Sequence, residues 1–203
     1  MRLRTKHAFA LLLTIAAAFA TAPGFAQSGP ATEKPLRDEL AFGYSYLHSN
    51  APPGGCGCFS LNGGNATLAL PVGASRFAVV GDVTGTHSGN ASSSGDSLTL
   101  TTFMAGVRYR PRFGHSALQP FGQLLIGFAH ASGSLAEGPN PASANAGAAF
   151  AGDIGGGVDL HASRRFSIRL VEADYLATAF DNGGNDHQNN LRISAGVVIQ
   201  FGK

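Results

Sequence analysis

The chain has 203 residues and a formal net charge of +2, which is too weak to argue for a nucleic-acid partner. Only 13% of its residues are charged although 44% are hydrophobic. Soluble domains carry about 25% charged residues, so this composition does not favour a surface that faces water on all sides.

The first 26 residues have the three parts of an export signal. Three basic residues lie within the first six positions, residues 8–20 (AFALLLTIAAAFA) are apolar, and APGFA ends in small residues that suit cleavage after Ala26. A membrane anchor is the less favoured alternative, because the apolar run is short and Pro23 and Gly24 follow it. We expect an exported chain that loses residues 1–26 as a signal peptide.

Eight later segments alternate between apolar and polar residues, as β-strands with two unlike faces do. They lie at 39–48, 61–72, 75–87, 96–110, 117–131, 148–162, 165–180 and 190–202. Three of the connections are short, and the other four are longer and rich in Gly, Ser, Asn and Pro. Short turns at one end and long loops at the other are typical of bacterial outer-membrane barrels, with the short turns in the periplasm. The sequence therefore predicts an all-β fold, an eight-stranded antiparallel up-and-down transmembrane β-barrel.

Within the strands, apolar residues fall on one row and most charges fall on the other. An eight-stranded barrel has an interior that side chains fill, so we expect the charged rows to face inward as a lumen network of ion pairs. The alternative is a solvated set lining a pore, which so narrow a ring disfavours. The side chains expected in the network are Glu39, Asp82, Arg108, Arg110, Asp153, Asp159, Arg169, Glu172, Asp174 and Arg192.

The seventh strand departs from this alternation. Leu170 belongs to the apolar row and Arg169 to the polar row, yet Glu172 and Asp174 share the parity of Leu170. A β-bulge near Val171 would turn both acids inward. Alternatively, both acids lie above the membrane, where no shift of register is needed.

Two stretches carry a resemblance to a known family. The strand–turn–strand FAGDIGGGVDLHASRRFSIRLVEADYL and the terminal VIQFG resemble small OmpA-type β-barrels of Gram-negative outer membranes. The resemblance implies outer-membrane lipid as the environment, insertion by the barrel-assembly machinery with periplasmic chaperones, and an aromatic assembly signal. That signal would be Phe201, although Gly202 and Lys203 follow it.

The resulting organisation is a single barrel behind a leader. We expect a monomer whose outer loops meet an extracellular partner that the sequence does not identify. The three parts are a signal peptide at 1–26, a periplasmic N-terminal segment at 27–38 and the barrel at 39–203.

One stretch carries residue types suited to catalysis. HASGSLAE holds His130 and Ser132 followed by Glu137, and it resembles outer-membrane lipid A deacylases, in which Ser attacks an ester and His is its base. The same His-x-Ser spacing recurs at 161–163 beside a short turn, so it is easily met by chance. We therefore predict a non-enzymatic barrel with a structural or surface-interaction role and no open pore. The alternatives are a lipid A ester hydrolase and, third, a soluble lipocalin-like carrier with its apolar rows inside.

The first long loop contains both cysteines, Cys56 and Cys58. Exported cysteines are usually oxidised, so we favour a small local disulfide. A metal site would need further ligands, and nearby His48 is a weak candidate, so we expect neither a metal nor a cofactor. The run Gly155–Gly157 follows no phosphate-loop pattern, and we expect it to let side chains from across the lumen pack against the strand.

Overall fold

The computed structural model describes residues 36–49, 58–91, 95–111, 116–133, 147–180 and 187–202. Each strand pairs antiparallel with the next, and the last strand pairs with the first, so the sheet closes into a barrel. This confirms the predicted fold, and every strand boundary lies within two residues of its expected position. The strands are β1 (Asp38–Ser49), β2 (Phe59–Pro71), β3 (Phe77–Ser88), β4 (Leu98–Tyr109), β5 (Leu118–Ser132), β6 (Ala148–His161), β7 (Phe166–Thr178) and β8 (Gln188–Phe201).

The two ends of the barrel differ in their connections. Residues 72–76, 110–117 and 162–165 join strands at one end, which we call the turn end. Residues 50–58, 89–97, 133–147 and 179–187 join strands at the other, which we call the loop end. In the described part of the chain, no helix is long and apolar enough to cross a membrane.

The strands are staggered around the barrel. Successive paired residues, followed from β1 through all eight strands, return to β1 ten residues further along. The series is Glu39, Ala69, Val80, Gly106, Leu125, Asp153, Leu176, Asn190 and Ser49. With a rise of ~3.3 Å per residue and ~4.8 Å between strands, this stagger tilts the strands by about 41° and gives a radius of about 8 Å. A barrel of this size holds side chains and little else.

The outer wall of the barrel is apolar. Phe128 is 62% exposed and Ile126 is 60% exposed, and the outer residues of the other strands are exposed in the same way. Most aromatic side chains on this wall lie toward the two ends, as in the girdles that flank a lipid-facing band, while Phe42 lies between them. Toward the turn end these are Phe77, Tyr109, Phe166 and Phe201, and toward the loop end Tyr44, Tyr46, Phe103, Phe128, Phe150 and Tyr175.

A β-bulge interrupts β7 at the predicted place. The pairing of β7 with β8 shifts register between Arg169 and Glu172, so Leu170 and Val171 are both exposed while Glu172 is buried. The predicted bulge is therefore confirmed, and the alternative in which β7 needs no shift of register is wrong. The extra residue keeps the acids of β7 inside and the apolar side chains outside.

Four large buried leucines of the lumen lie toward the loop end, while smaller buried apolar residues such as Ala69, Ala78 and Val80 lie toward the turn end. Leu47, Leu61, Leu100 and Leu176 are each at most 7% exposed and belong to one cluster. Phe59, Leu98 and Phe180 pack against the cluster. We call these seven side chains the apolar seal, because they lie between the charged part of the lumen and the loops.

Candidate functional site

All ten charged side chains that the sequence assigned to the lumen are buried there, each residue at most 6% exposed. They are six acids and four arginines, and we call them the ionic network. Moving a charged side chain from water into the protein interior costs a free energy of several kcal/mol unless an opposite charge and hydrogen bonds compensate it. The contacts between these side chains therefore decide whether the interior is stable.

A series of ion pairs crosses the half of the network nearer the turn end. Arg110 Nη2 lies 2.8 Å from Glu39 Oε2 and 2.9 Å from Asp159 Oδ2. Arg169 Nε donates to Asp159 Oδ1 at 2.9 Å, and its Nη1 donates to Glu172 Oε2 at 2.7 Å. Two arginines thus join three acids contributed by β1, β6 and β7.

The ring of Phe121 lies among the arginines of this half. The guanidinium carbons of Arg108, Arg169 and Arg110 lie 4.2, 4.6 and 5.4 Å from the ring centroid. Cations within about 6 Å of an aromatic face are attracted to it. Gln123 Oε1 also accepts a hydrogen bond of 2.6 Å from Arg108 Nη2. The ring therefore adds a favourable contact to three arginines that lie close together, of which Arg108 has its nearest carboxylate, Glu39 Oε2, as far as 3.9 Å away.

One arginine organises the half of the network nearer the loop end. Arg192 lies 3.0 Å from Asp82, 2.9 Å from Asp153 and 3.1 Å from Asp174. Its Nη1 also donates to Thr84 Oγ1 at 2.9 Å. The two oxygens of Asp153 have no hydrogen-bond partner among the described residues, so its contact with Arg192 is an ion pair without hydrogen-bond geometry. Three acids therefore depend on one guanidinium.

Gln123 connects the two halves of the network. Its Nε2 donates to Glu172 Oε1 at 2.6 Å and to Asp174 Oδ1 at 3.3 Å, while its Oε1 accepts from Arg108. The alternation of β5 placed Gln123 on the inward row, but neither this bridge nor the central position of Phe121 was predicted. The one sequence feature that could have indicated their roles is that both residues lie on the inward row of β5.

The glycines of β6 make room for the network, but not in the way the sequence suggested. A Cβ on Gly157 would lie 2.9 Å from Phe121 Cζ and 2.4 Å from the carbonyl oxygen of Val171. A Cβ on Gly155 would lie 2.1 Å from Asp174 Oδ1. Since Phe121 and Asp174 belong to β5 and β7, these glycines accommodate the two neighbouring strands, and the expectation of contacts from across the lumen is wrong.

A small cavity lies at the turn end of the lumen. A cavity of about 10 Å³, roughly the room that one water needs, opens at the turn end beside Arg37, Glu39, Arg108 and Arg110. Above it lie the ionic network and then the apolar seal. The buried side chains of the network and the seal therefore occupy the described lumen between this cavity and the loops.

The residues of the alternative catalytic interpretation lie on the outer wall. His130 and Ser132 occupy the loop end of β5, opposite Thr101 and Thr99 of β4. His130 is exposed and Ser132 is half-buried, and no hydrogen bond joins the two in the described chain. Residues two apart on a strand have Cα atoms about 6.6 Å apart, so their side chains run side by side. Glu137 lies outside the described residues.

The structure describes part of three further predicted features, namely the cysteine pair, a metal site near His48 and the terminal Phe201. Cys58 is exposed and Cys56 lies outside the described residues, so their disulfide stays a prediction. Among the described residues, no three His, Cys, Asp or Glu side chains are grouped to hold a metal ion, and His48 instead contacts Ser60. Phe201 is the exposed last residue of β8 and pairs with Asp38, while its role as an assembly signal stays a prediction.

Solved structures show where this architecture occurs. The chain is similar to Neisserial surface protein A, with a TM-score of 0.60 and 13% identity over 81% of this chain and 97% of that one. It is also similar to Ail, the attachment invasion locus protein of Yersinia pestis, with a TM-score of 0.52 and 15% identity over 83% of this chain and 100% of that one. A second structure of Ail, in complex with the heparin analogue sucrose octasulfate, gives a TM-score of 0.54 at 16% identity over 83% and 100% of the two chains. No family model and no curated protein match the chain. The protein has the fold of the small eight-stranded outer-membrane barrels.

Proposed function

We propose that the protein is a non-enzymatic barrel of the outer membrane, with a structural or surface-interaction role. The strands would anchor the chain in lipid, and the loop end would face the outside of the cell. The observation that carries the proposal is the polarity of the barrel wall, whose exposed outer face is apolar and whose buried inner face holds all ten charges of the ionic network.

The direction of this polarity separates the proposal from a soluble carrier. A lipocalin-like carrier holds an apolar ligand inside and presents polar side chains to water, which is the reverse arrangement. Here the buried charges contact one another, and the large apolar side chains of the outer wall are 36–62% exposed. An apolar wall of this extent on a barrel fits a lipid environment.

The filled lumen argues against transport. The ionic network occupies the half nearer the turn end and the middle of the barrel, and the apolar seal follows it. A conducting path would require both layers to rearrange, which would break the buried ion pairs of the network. The role of the protein would therefore reside in its loops and its outer wall.

Membrane extraction and conductance measurements test the proposal together. The protein expressed in a Gram-negative host should stay in the pellet when membranes are extracted with alkaline carbonate, whereas a soluble periplasmic control should be released. The purified barrel in planar bilayers should give no regular single-channel steps under conditions in which a porin does. Complete release by carbonate would refute membrane insertion, and reproducible channel steps would refute the closed lumen.

A further inference from the structure

Three histidines share one position on three alternate strands of the barrel. His48, His87 and His130 each lie on the outer row, close to the loop end of β1, β3 and β5, and each is exposed. We call these three side chains the histidine collar. His161 is also exposed but lies at the turn end, on the parity of the lumen row. The collar is therefore confined to one end and one face.

The stagger of the strands brings the collar to a single height. With the ~41° tilt, a step of one residue along a strand raises the height along the barrel axis by about 2.5 Å. A step from a residue to its paired residue on the next strand raises the height by about 3.1 Å. Measured from the register of the strands, the three collar residues lie within about 2.5 Å of one another in height. They lie about 5–8 Å above Tyr46 and Phe103 of the loop-end aromatic girdle. Aromatic girdles lie at the membrane interface, so the collar falls at the level of the lipid headgroups.

Neighbouring strands orient the first two imidazoles. His48 Nδ1 lies 3.2 Å from Ser60 Oγ of β2, and His87 Nδ1 lies 2.9 Å from Thr99 Oγ1 of β4. Each ring thus uses Nδ1 within the protein, and Nε2 is the nitrogen that can meet a group in the surrounding membrane.

The outer face around the collar carries no carboxylate among the described residues. Its titratable neighbours there are Tyr46, whose hydroxyl contacts the same Ser60, and His187, which directly precedes β8. Asp96 precedes β4 on the parity of the lumen row. The outer-row neighbours on the flanking strands are Ser60 and Asn62 of β2, Thr99 and Thr101 of β4, Ala148 and Phe150 of β6, and Asn189 and Leu191 of β8.

We propose that the histidine collar is a pH-dependent binding site for the phosphate groups of membrane lipids with a net negative charge, in the leaflet at the loop end. Histidine is the side chain that ordinarily gains its charge between pH 8 and pH 5. A charged imidazole at headgroup level attracts a phosphate, and no carboxylate of the described residues on this face competes for it. The collar would therefore hold anionic lipid more tightly in acid than at neutral pH. This inference rests on the membrane placement proposed above.

Native mass spectrometry can count the lipids that the folded barrel retains. The barrel in detergent micelles is mixed with phosphatidylglycerol or with phosphatidylcholine at pH 5.5 and at pH 8.0. Phosphatidylglycerol keeps one negative charge over this range, so any change comes from the protein. We expect up to three additional phosphatidylglycerol molecules per barrel at pH 5.5, about one for each collar histidine, and no such gain with phosphatidylcholine.

Two variants assign the gain to the collar. The triple variant His48→Gln, His87→Gln, His130→Gln should lose the acid-dependent gain, and His161→Gln, which changes a histidine outside the collar, should keep it. Heat-modifiable gel mobility verifies that each variant is folded before lipids are counted. A gain that persists in the triple variant, or no gain in the unchanged protein, would overturn the inference.

A separate measurement distinguishes failure of the collar from failure of the membrane proposal. The unchanged protein is first reconstituted in vesicles of pure phosphatidylcholine at pH 8.0 and extracted with carbonate. A barrel that resists extraction but shows no acid-dependent gain refutes the collar alone. A barrel that carbonate releases refutes the membrane placement, and the collar with it.

Discussion

Replacing Arg192 with methionine should remove a large part of the free energy of unfolding. Arg192 is 1% exposed, and its guanidinium lies 2.9–3.1 Å from the carboxylates of Asp82, Asp153 and Asp174. Methionine has a similar length but no charge, so the three acids would share the interior without their common cation. Removing one partner of a buried ion pair costs about 3–5 kcal/mol, and because three acids lose the same partner we expect a loss of about 5 kcal/mol.

Urea titration of the barrel refolded in phosphatidylcholine vesicles measures this loss. The folded fraction at each urea concentration is read from gel mobility without heating, and the free energy of unfolding follows from linear extrapolation. A loss below about 1 kcal/mol would show that water or protonation compensates the three acids, and it would refute the assignment of Arg192 as their necessary partner.

Two single substitutions among these acids refine the argument. Asp82 accepts hydrogen bonds from Thr67 at 2.7 Å and Thr84 at 2.9 Å besides its ion pair with Arg192, so Asp82→Asn should cost about 2–3 kcal/mol. Asp153 has no hydrogen-bond partner in the described chain, and Arg192 keeps two other acids without it. Asp153→Asn should therefore either raise the free energy of unfolding or lower it by no more than about 0.5 kcal/mol. Equal losses for both variants would contradict this distinction.

Three further predictions concern the wall, the glycines and catalysis. Leu124→Arg, in the apolar band, should destabilise the folded barrel in vesicles by about 2–4 kcal/mol. His130→Arg, on the same face of β5 but at the rim, should destabilise it by only about 0–1 kcal/mol. Equal losses of stability in the two variants would contradict the depth assigned to the two positions. Gly157→Ala should lower the free energy of unfolding by about 1–3 kcal/mol in the same urea assay, because its Cβ would contact Phe121 and the backbone of Val171. In the control variant Gly152→Ala the added Cβ meets nothing within 4 Å, so the free energy of unfolding should change by no more than about 0.5 kcal/mol. Mass spectrometry of lipid A from cells that express the protein, Ser132→Ala or His130→Ala should show the same acyl composition, and loss of an acyl chain only when both residues are intact would establish the hydrolase alternative.

The local pattern of the chain was sufficient to predict the strands and their faces. Side chains alternate strictly along a strand, so parity alone assigns each residue to the wall or the lumen. A single mismatch of parity at Glu172 and Asp174 was enough to predict the bulge, because an apolar row outside and an ionic row inside permit no slip of register. The membership of the ionic network followed from the same rule.

Partners within the network could not be derived in this way. Arg192 lies 110 positions from Asp82, and Arg110 lies 71 positions from Glu39. Their contacts depend on the height of each residue in the barrel, which parity does not contain. Phe121 was overlooked for a related reason, since an aromatic residue on an inward row gives no local sign that three arginines surround it.

What the sequence by itself determined is the class of fold, the extent of the eight strands and the side of the wall on which each residue lies. These properties have a period of two residues, and any short window of the chain reveals them. The tertiary structure decided which charges pair, where the apolar seal closes the lumen, and that three histidines from separate strands lie at one height. All of these depend on the ten-residue stagger with which the sheet closes, and closure is a property of the eight strands together that no single strand encodes.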